Sequence, residues 1–252
     1  MASVSGRTGM ATRPNGGCLV CGEELLYLEA AESVRCAHCD ATASSAARCP
    51  TGHYVCDGCH SGSAKDVIAR VCAASEEQDP IAIARALMRH SALEMHGPEH
   101  HFLVPAALLA AFSNVRGEGD RRAERVAEAR HRSEPIVGGF CGRQGACGAG
   151  IGTGIFVAIA TGSSPLRGAQ RGLANRMTAE ALAIIGAING PRCCKRDSSL
   201  AILAAARFAR EHLGVYLPVL DQPCQLWNRN RQCTGGACPF HPLHQHLGLD
   251  KF

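Results

Sequence analysis

Apolar residues recur at helical spacing through most of this chain, and the segments they mark are separated by glycine, proline and charge. After Ser63, the run AKDVIARVCAAS sets Val67, Ile68, Val71 and Cys72 on one helix face, which makes Cys72 a core residue. Asp79-Pro80 opens a second helix, with Pro80 in the tolerated first turn. A third, Phe102–Val115, again follows a proline. Residues 116–134 alternate charge at helical spacing around Val126 and several alanines, the pattern of a solvated helix with i,i+4 pairs. Residues 165–189 predict one or two helices with a break near Asn175–Thr178, where Thr178 suits an N-cap. The last helix is expected to be capped by Asp197 or Ser198 and to end at Gly214. The fold class read from this pattern is mainly α. A helical metal-binding domain (63–252) follows a small zinc-knuckle module (18–60), either a ribbon or a cross-brace, and a disordered polar tail (1–17).

Composition sharpens the picture at one point. Of 252 residues, 46% are hydrophobic and only 4% aromatic, so the helices pack through small side chains. A net charge of +4 is too mild to demand nucleic acid, and in the charged run acidic residues interleave with the arginines without aromatic platforms. The apolar runs near Val104–Phe112 and Ile155–Ala160 fall short of the roughly 20 residues that span a bilayer. Fifteen cysteines, however, far exceed ordinary usage. With no apolar secretory segment at residues 1–17, a cytoplasmic compartment is expected, where thiols stay reduced and serve as metal ligands or nucleophiles.

The ligand spacing begins at Cys18. Cys18-x-x-Cys21 and Cys36-x-x-Cys39 are fourteen residues apart, and Cys49-x-x-x-His53 and Cys56-x-x-Cys59 follow, with His60 as an extra imidazole. Eight ligands in four close pairs fit two tetrahedral zinc ions, because each CxxC turn aims two thiolates at one metal. Sequential pairing would give a ribbon followed by a second site. The segment CPTGHYVCDGC resembles the middle of RING-type domains. That resemblance implies cross-bracing, with Cys18, Cys21, Cys49 and His53 on one ion and Cys36, Cys39, Cys56 and Cys59 on the other. A RING would carry a further CxxC after Cys59, and here only Cys72 follows. Zinc is then a staple for a module too small to fold alone.

Two further stretches concentrate thiols among glycines and cations. In GGFCGRQGACGAGIGTGIF, Cys141 and Cys147 sit in a glycine-dense loop that leads into an apolar segment. Gly148, Gly150, Gly152 and Gly154 recur at every second residue. Thr153 takes the third-glycine position of a dinucleotide loop and there is no GK[ST], so these glycines are read instead as letting backbone approach a cofactor cluster or a neighbouring helix. In GPRCCKRDS, Cys193 and Cys194 precede a helix beside Lys195 and Arg196, an arrangement expected to lower the thiol pKa. The closing segment adds Cys224, Cys233 and Cys238, then His241, His244 and His246. Four thiolates hold one iron–sulfur cluster; Cys141, Cys147 and Cys193 with one of Cys224, Cys233 or Cys238 are the expected set. Cys194 is the candidate reactive thiol, and Lys195 and Arg196 would bind an anionic substrate. His96-x-x-Glu99-His100 has the spacing of an inverted zinc-protease motif, but Gly97-Pro98 between the histidines places His96 ahead of any helix. His96, Glu99 and His100 are therefore acid/base candidates.

Taken together, CDGCHS, MHGPEHH, the GACGAGIGTGIF loop, GPRCCKRDS and the closing CPFH resemble an uncharacterised cysteine-rich family associated with anaerobic-type metabolism. Some of its members are fused to, or labelled as, methyltransferase or radical-type enzymes. The expectation is an iron–sulfur enzyme or enzyme component for redox or sulfur/one-carbon transfer, acting on an anionic small molecule or with a redox partner protein. The rivals are a zinc-dependent binding module for nucleic acid or a protein partner, and a zinc hydrolase built on His96, Glu99 and His100.

Overall fold

The computed structural model describes residues 18, 20, 21, 23–56, 63–220 and 223–244, so Cys59, His60, His246 and the residue 1–17 tail lie outside the described residues. The fold is mainly α, with one two-stranded antiparallel sheet formed by β1 (Leu26–Arg35) and β2 (Thr42–Arg48). The second CxxC, Cys36–Cys39, is the turn of this hairpin. Asp40 adopts a left-handed φ of 58° just after it, where its short side chain is tolerated. Register runs from Leu26 opposite Arg48 to Arg35 opposite Thr42, with a bulge between Tyr27 and Glu32. The hairpin module meets the helices through the ring of His38, 4.3 Å from that of His90.

The helices follow in order: α1 (Ala64–Ala74), α2 (Pro80–Met88), α3 (Glu99–Val115), α4 (Arg122–Ser133), α5 (Phe140–Arg143), α6 (Gly148–Thr161), α7 (Gly168–Gly186) and α8 (Cys194–Phe208), which continues as a π turn over Ala209–Leu213. Helix α1 starts with a capping box in which Ser63 and Asp66 satisfy each other's free backbone donors. Replacing Ser63 with alanine should cost about 1 kcal/mol, read as a lower Tm. Hydrogen bonding to Ser63, and then Arg130, hold the Asp66 carboxyl below its ordinary value. This contribution is therefore fully present above the unfolded pKa and is lost as pH falls through the folded one.

Helix α3 is the centre of the bundle, buried from Glu99 through Ser113. Pro105 inside it removes the bond to the His101 carbonyl, which is left with only a long 3.5 Å contact from the Ser133 hydroxyl, itself donated mainly to the Ala129 carbonyl at 2.7 Å. Helix α6 lies along α3 in the same direction. A Cβ on Gly148 would meet the His101 ring at 2.2 Å, and one on Gly152 would meet Pro105 at 2.8 Å. The opposite face of α6 meets α7, where Gly150 faces Leu182 and Gly154 faces Thr178. The alternating glycines thus sit on a helix and bring two neighbouring helices close, the second of the roles weighed for them. Gly152→Val should destabilise the bundle by about 1–3 kcal/mol through overpacking, seen as a fall in Tm.

Three local expectations are corrected. The segment from Gly148 to Gly154 is the start of α6 rather than a loop. Helix α7 runs without a break, because Thr178 turns its hydroxyl back to the Ala174 carbonyl at 3.2 Å instead of capping. Helix α8 begins a full turn earlier than expected, with Cys193 rather than Asp197 or Ser198 as N-cap and its sulfur accepting from Arg196 N–H. The charged segment is helix α4 as expected, held by Arg132–Glu128 at 2.7 Å and Arg130–Asp66 at 2.8 Å. Among the described residues no helix is long and apolar enough to cross a membrane.

Candidate metal centres

Hairpin topology decides how the N-terminal ligands group. Antiparallel pairing of Leu26 with Arg48 brings the chain before β1 and the chain after β2 to one end of the sheet. The Cys36–Cys39 turn occupies the other end. Ten residues of β1 at ~3.3 Å each separate the two ends by roughly 30 Å, less whatever the bulge takes up. Cys18 and Cys21 therefore cannot share an ion with Cys36 and Cys39. One ligand atom each from Cys18, Cys21, Cys49 and His53 lie within 4.8 Å of one another, as do those from Cys36, Cys39 and Cys56. The sulfurs of Cys21 and Cys49 are 3.4 Å apart and those of Cys39 and Cys56 3.6 Å. A tetrahedral zinc with ~2.3 Å bonds sets its sulfurs about 3.8 Å apart, so each group could hold one ion. Backbone N–H groups already point at the sulfurs, Val20 to Cys18 and Cys56 to Cys36, both at 3.4 Å. Burial opposes ionisation of Cys49, but the Thr51 hydroxyl at 2.9 Å and further hydrogen bonds hold its thiol at about 6.

The remaining cysteines gather at one end of the helical bundle. The chain after α8 returns along α2, tied by Leu220 N–H to Asp79 and by Arg89 to Gln225 at 2.9 Å. This strap carries Cys224, Cys233 and Cys238 to the first turn of α8. With Cys193 they line one cavity of about 340 Å³, walled also by Met88, Lys195, Arg196, Trp227 and Phe240. Each thiol is oriented by its own turn. Leu226 N–H reaches Cys224 at 3.4 Å, Gly235 N–H reaches Cys233 at 3.4 Å and Arg196 N–H reaches Cys193 at 3.5 Å, while Phe240 N–H favours the Cys238 thiolate. Asn230 adds a side-chain bond to Cys193 at 3.5 Å and joins it to His96 at 3.2 Å.

Among the described residues, the C-terminal sulfurs form no group within the 4.8 Å that gathers the N-terminal ligands. Cys141 and Cys147 do not line this cavity. Cys147 caps α6 and Cys141 lies exposed on α5, each within electrostatic reach of the other. Adjacent Cys193 and Cys194 diverge, Cys193 into the cavity and Cys194 toward Gly97 N–H ahead of α3.

The cations beside these thiols are buried with them. Lys195 donates to the Glu94 carbonyl at 2.9 Å, and Arg196 pairs with Asp197 at 2.8 Å. Burial brings Lys195 down to about 8 and pushes Cys193 up to about 11, and Cys194 also moves up. The expected lowering by Lys195 and Arg196 is outweighed because the same helix start that supplies the cations removes the thiols from water. Glu99 and His100 form a buried pair at 3.3 Å just inside α3, with His96 ahead of the helix as expected. Sequence reasoning missed Asn230 and Trp227, which belong to no motif, and gave no role to His241, which is 6% exposed and faces the cavity.

Fold and site define a helical, cysteine-rich protein with two groups of residues that could each hold a metal ion. A family described only as of unknown function, DUF5714, matches residues 68–241, and the chain belongs to it. The match takes in all seven cysteines of the bundle end and none of the N-terminal knuckles. No curated protein and no solved structure matches the chain.

Proposed function

We propose that this chain is an iron–sulfur protein, an enzyme or enzyme component in redox or sulfur/one-carbon transfer, whose cluster is held by Cys193, Cys224, Cys233 and Cys238. The observation that carries the reading is the cavity itself: four thiols line about 340 Å³, and backbone N–H groups of their own turns reach Cys193, Cys224 and Cys233 at 3.4–3.5 Å. Such donor turns stabilise thiolate sulfur and tune a cluster's potential. When bound, the cluster would supply electrons or a Lewis-acidic iron. Lys195 and Arg196 in the cavity wall offset the negative charge of four thiolates and offer a binding point to an anionic substrate. The two N-terminal groups then carry zinc as a structural staple.

Metal and sulfide analysis with a visible spectrum, on protein purified without oxygen, tests this. Iron, labile sulfide and broad visible absorption alongside zinc are expected. Zinc alone, colourless even after anaerobic reconstitution, would overturn the reading in favour of a zinc-dependent binding module.

A further inference from the structure

Three long helices begin side by side at the cysteine-rich end. Gly148 and Gly152 of α6 face His101 and Pro105 of α3, and Phe156 packs edge-on to Phe112 at 5.7 Å, so these two run parallel. Helix α8 joins in the same direction. Its first turn reaches Glu94 and Gly97, ahead of α3, while Gly214 beyond its far end borders the same hollow as Val115 at the far end of α3. Helices in contact have axes about 8–10 Å apart, so three first turns enclose a space that short side chains from each can reach. Three thiols outside the four-cysteine cavity lie there. Cys147 stands at the N-cap of α6, where burial pushes its thiol up to about 12 while the N–H groups of Ala149 and Gly150 pull the other way. Cys194 stands in the first turn of α8, where burial raises its thiol against the pull of Gly97 N–H. Cys141, on the turn before α6, interacts with Cys147.

We propose that Cys141, Cys147 and Cys194 hold a second iron–sulfur cluster, bound by three protein thiolates and leaving one iron position open beside Glu99 and His100. The inference rests on the iron–sulfur reading above and assigns Cys194 as a ligand. Each helix N-terminus carries the equivalent of roughly half a positive charge, and three of them together favour an anionic thiolate cluster. Asp197 lies within electrostatic reach of both Cys147 and Cys194 and opposes their ionisation, and its 2.8 Å pairing with Arg196 offsets part of that charge. An unfilled group also awaits a partner at this end. His100, 1% exposed, engages Gly97 O and Glu99 through Nδ1, which turns Nε2 to the other side of the ring, where it has no hydrogen-bond partner. A water or substrate on the open iron would give it one.

Iron and sulfide per chain, measured on the full chain after anaerobic reconstitution, test the proposal. Cys147→Ser with Cys194→Ser should remove about half of the iron and leave zinc in place, and Cys224→Ser with Cys238→Ser should remove the other half. Cys141→Ser, at an exposed position where the fold tolerates serine, should alone change the spectrum of the half lost with Cys147 and Cys194. Full iron in all variants of this second set, with iron lost only on changing Cys224 and Cys238, would overturn it and leave one cluster. Absence of iron from the unaltered chain overturns the single-cluster reading as well.

Discussion

Cys193→Ser is expected to empty the four-cysteine cavity of iron while leaving helix α8 intact. The two roles of this residue separate at one atom. As N-cap its sulfur accepts from Arg196 N–H, and serine, a preferred N-cap, replaces that bond with its hydroxyl. As a cluster ligand it must be an ionised thiolate, and a serine hydroxyl in so buried a place does not substitute. Cys193→Ala should lose the cluster as well and weaken the helix start by about 1 kcal/mol. Iron content and thermal melting of the two variants side by side check this. Equal iron in Cys193→Ser and the unaltered chain would remove Cys193 from the ligand set, and with it the reason for reading the cavity as a cluster site.

The second large effect is expected at the other end of the chain. Removing metal from residues 18–56 should abolish the hairpin and leave the bundle folded. Strand β2 alternates exposed and half-buried residues along its whole length, and the buried side chains of the module are themselves the ligands Cys18, Cys36 and Cys49. With no buried apolar side chain other than cysteine among its described residues, the module draws its stability from metal binding, about 10–16 kcal/mol for structural zinc at neutral pH. Cross-bracing makes the loss cooperative, because each ion clamps one end of the same hairpin. Amide exchange after chelation should reach completion across Leu26–Arg48, while protection persists in α3 and α8. Retained protection in the hairpin would show that something other than metal holds it. A zinc count of two, falling to one in Cys21→Ser with Cys49→Ser, would separate cross-bracing from sequential pairing, which predicts damage to both sites by that pair.

Much of this was legible in the residues themselves. Periodicity alone identified α1 with Val67, Ile68, Val71 and Cys72 inward, the Pro80 start of α2 and the solvated character of α4, because in each the buried face repeats at the helical period. Ligand spacing alone marked the grouped knuckle thiols Cys18, Cys21, Cys36, Cys39, Cys49 and Cys56, since a CxxC turn is a local geometry. What sequence could not fix was which distant pairs meet. Cys21 joins Cys49 because β1 is long enough to keep the Cys36–Cys39 turn away. Cys193 joins three strap cysteines, rather than Cys141 and Cys147, because the chain after α8 doubles back along α2. The glycine-rich stretch had too little side chain for its periodicity to show, and only the packing of α6 between α3 and α7 gave it a helical form. Burial, which reverses the effect of Lys195 and Arg196 on their neighbouring thiols, is likewise a property of packed helices and not of adjacency in the chain. The sequence determined which residues can carry chemistry; tertiary structure decided their company, because ligands drawn from segments tens of residues apart, Cys21 and Cys49 or Cys193 and Cys238, come together only where the fold puts them.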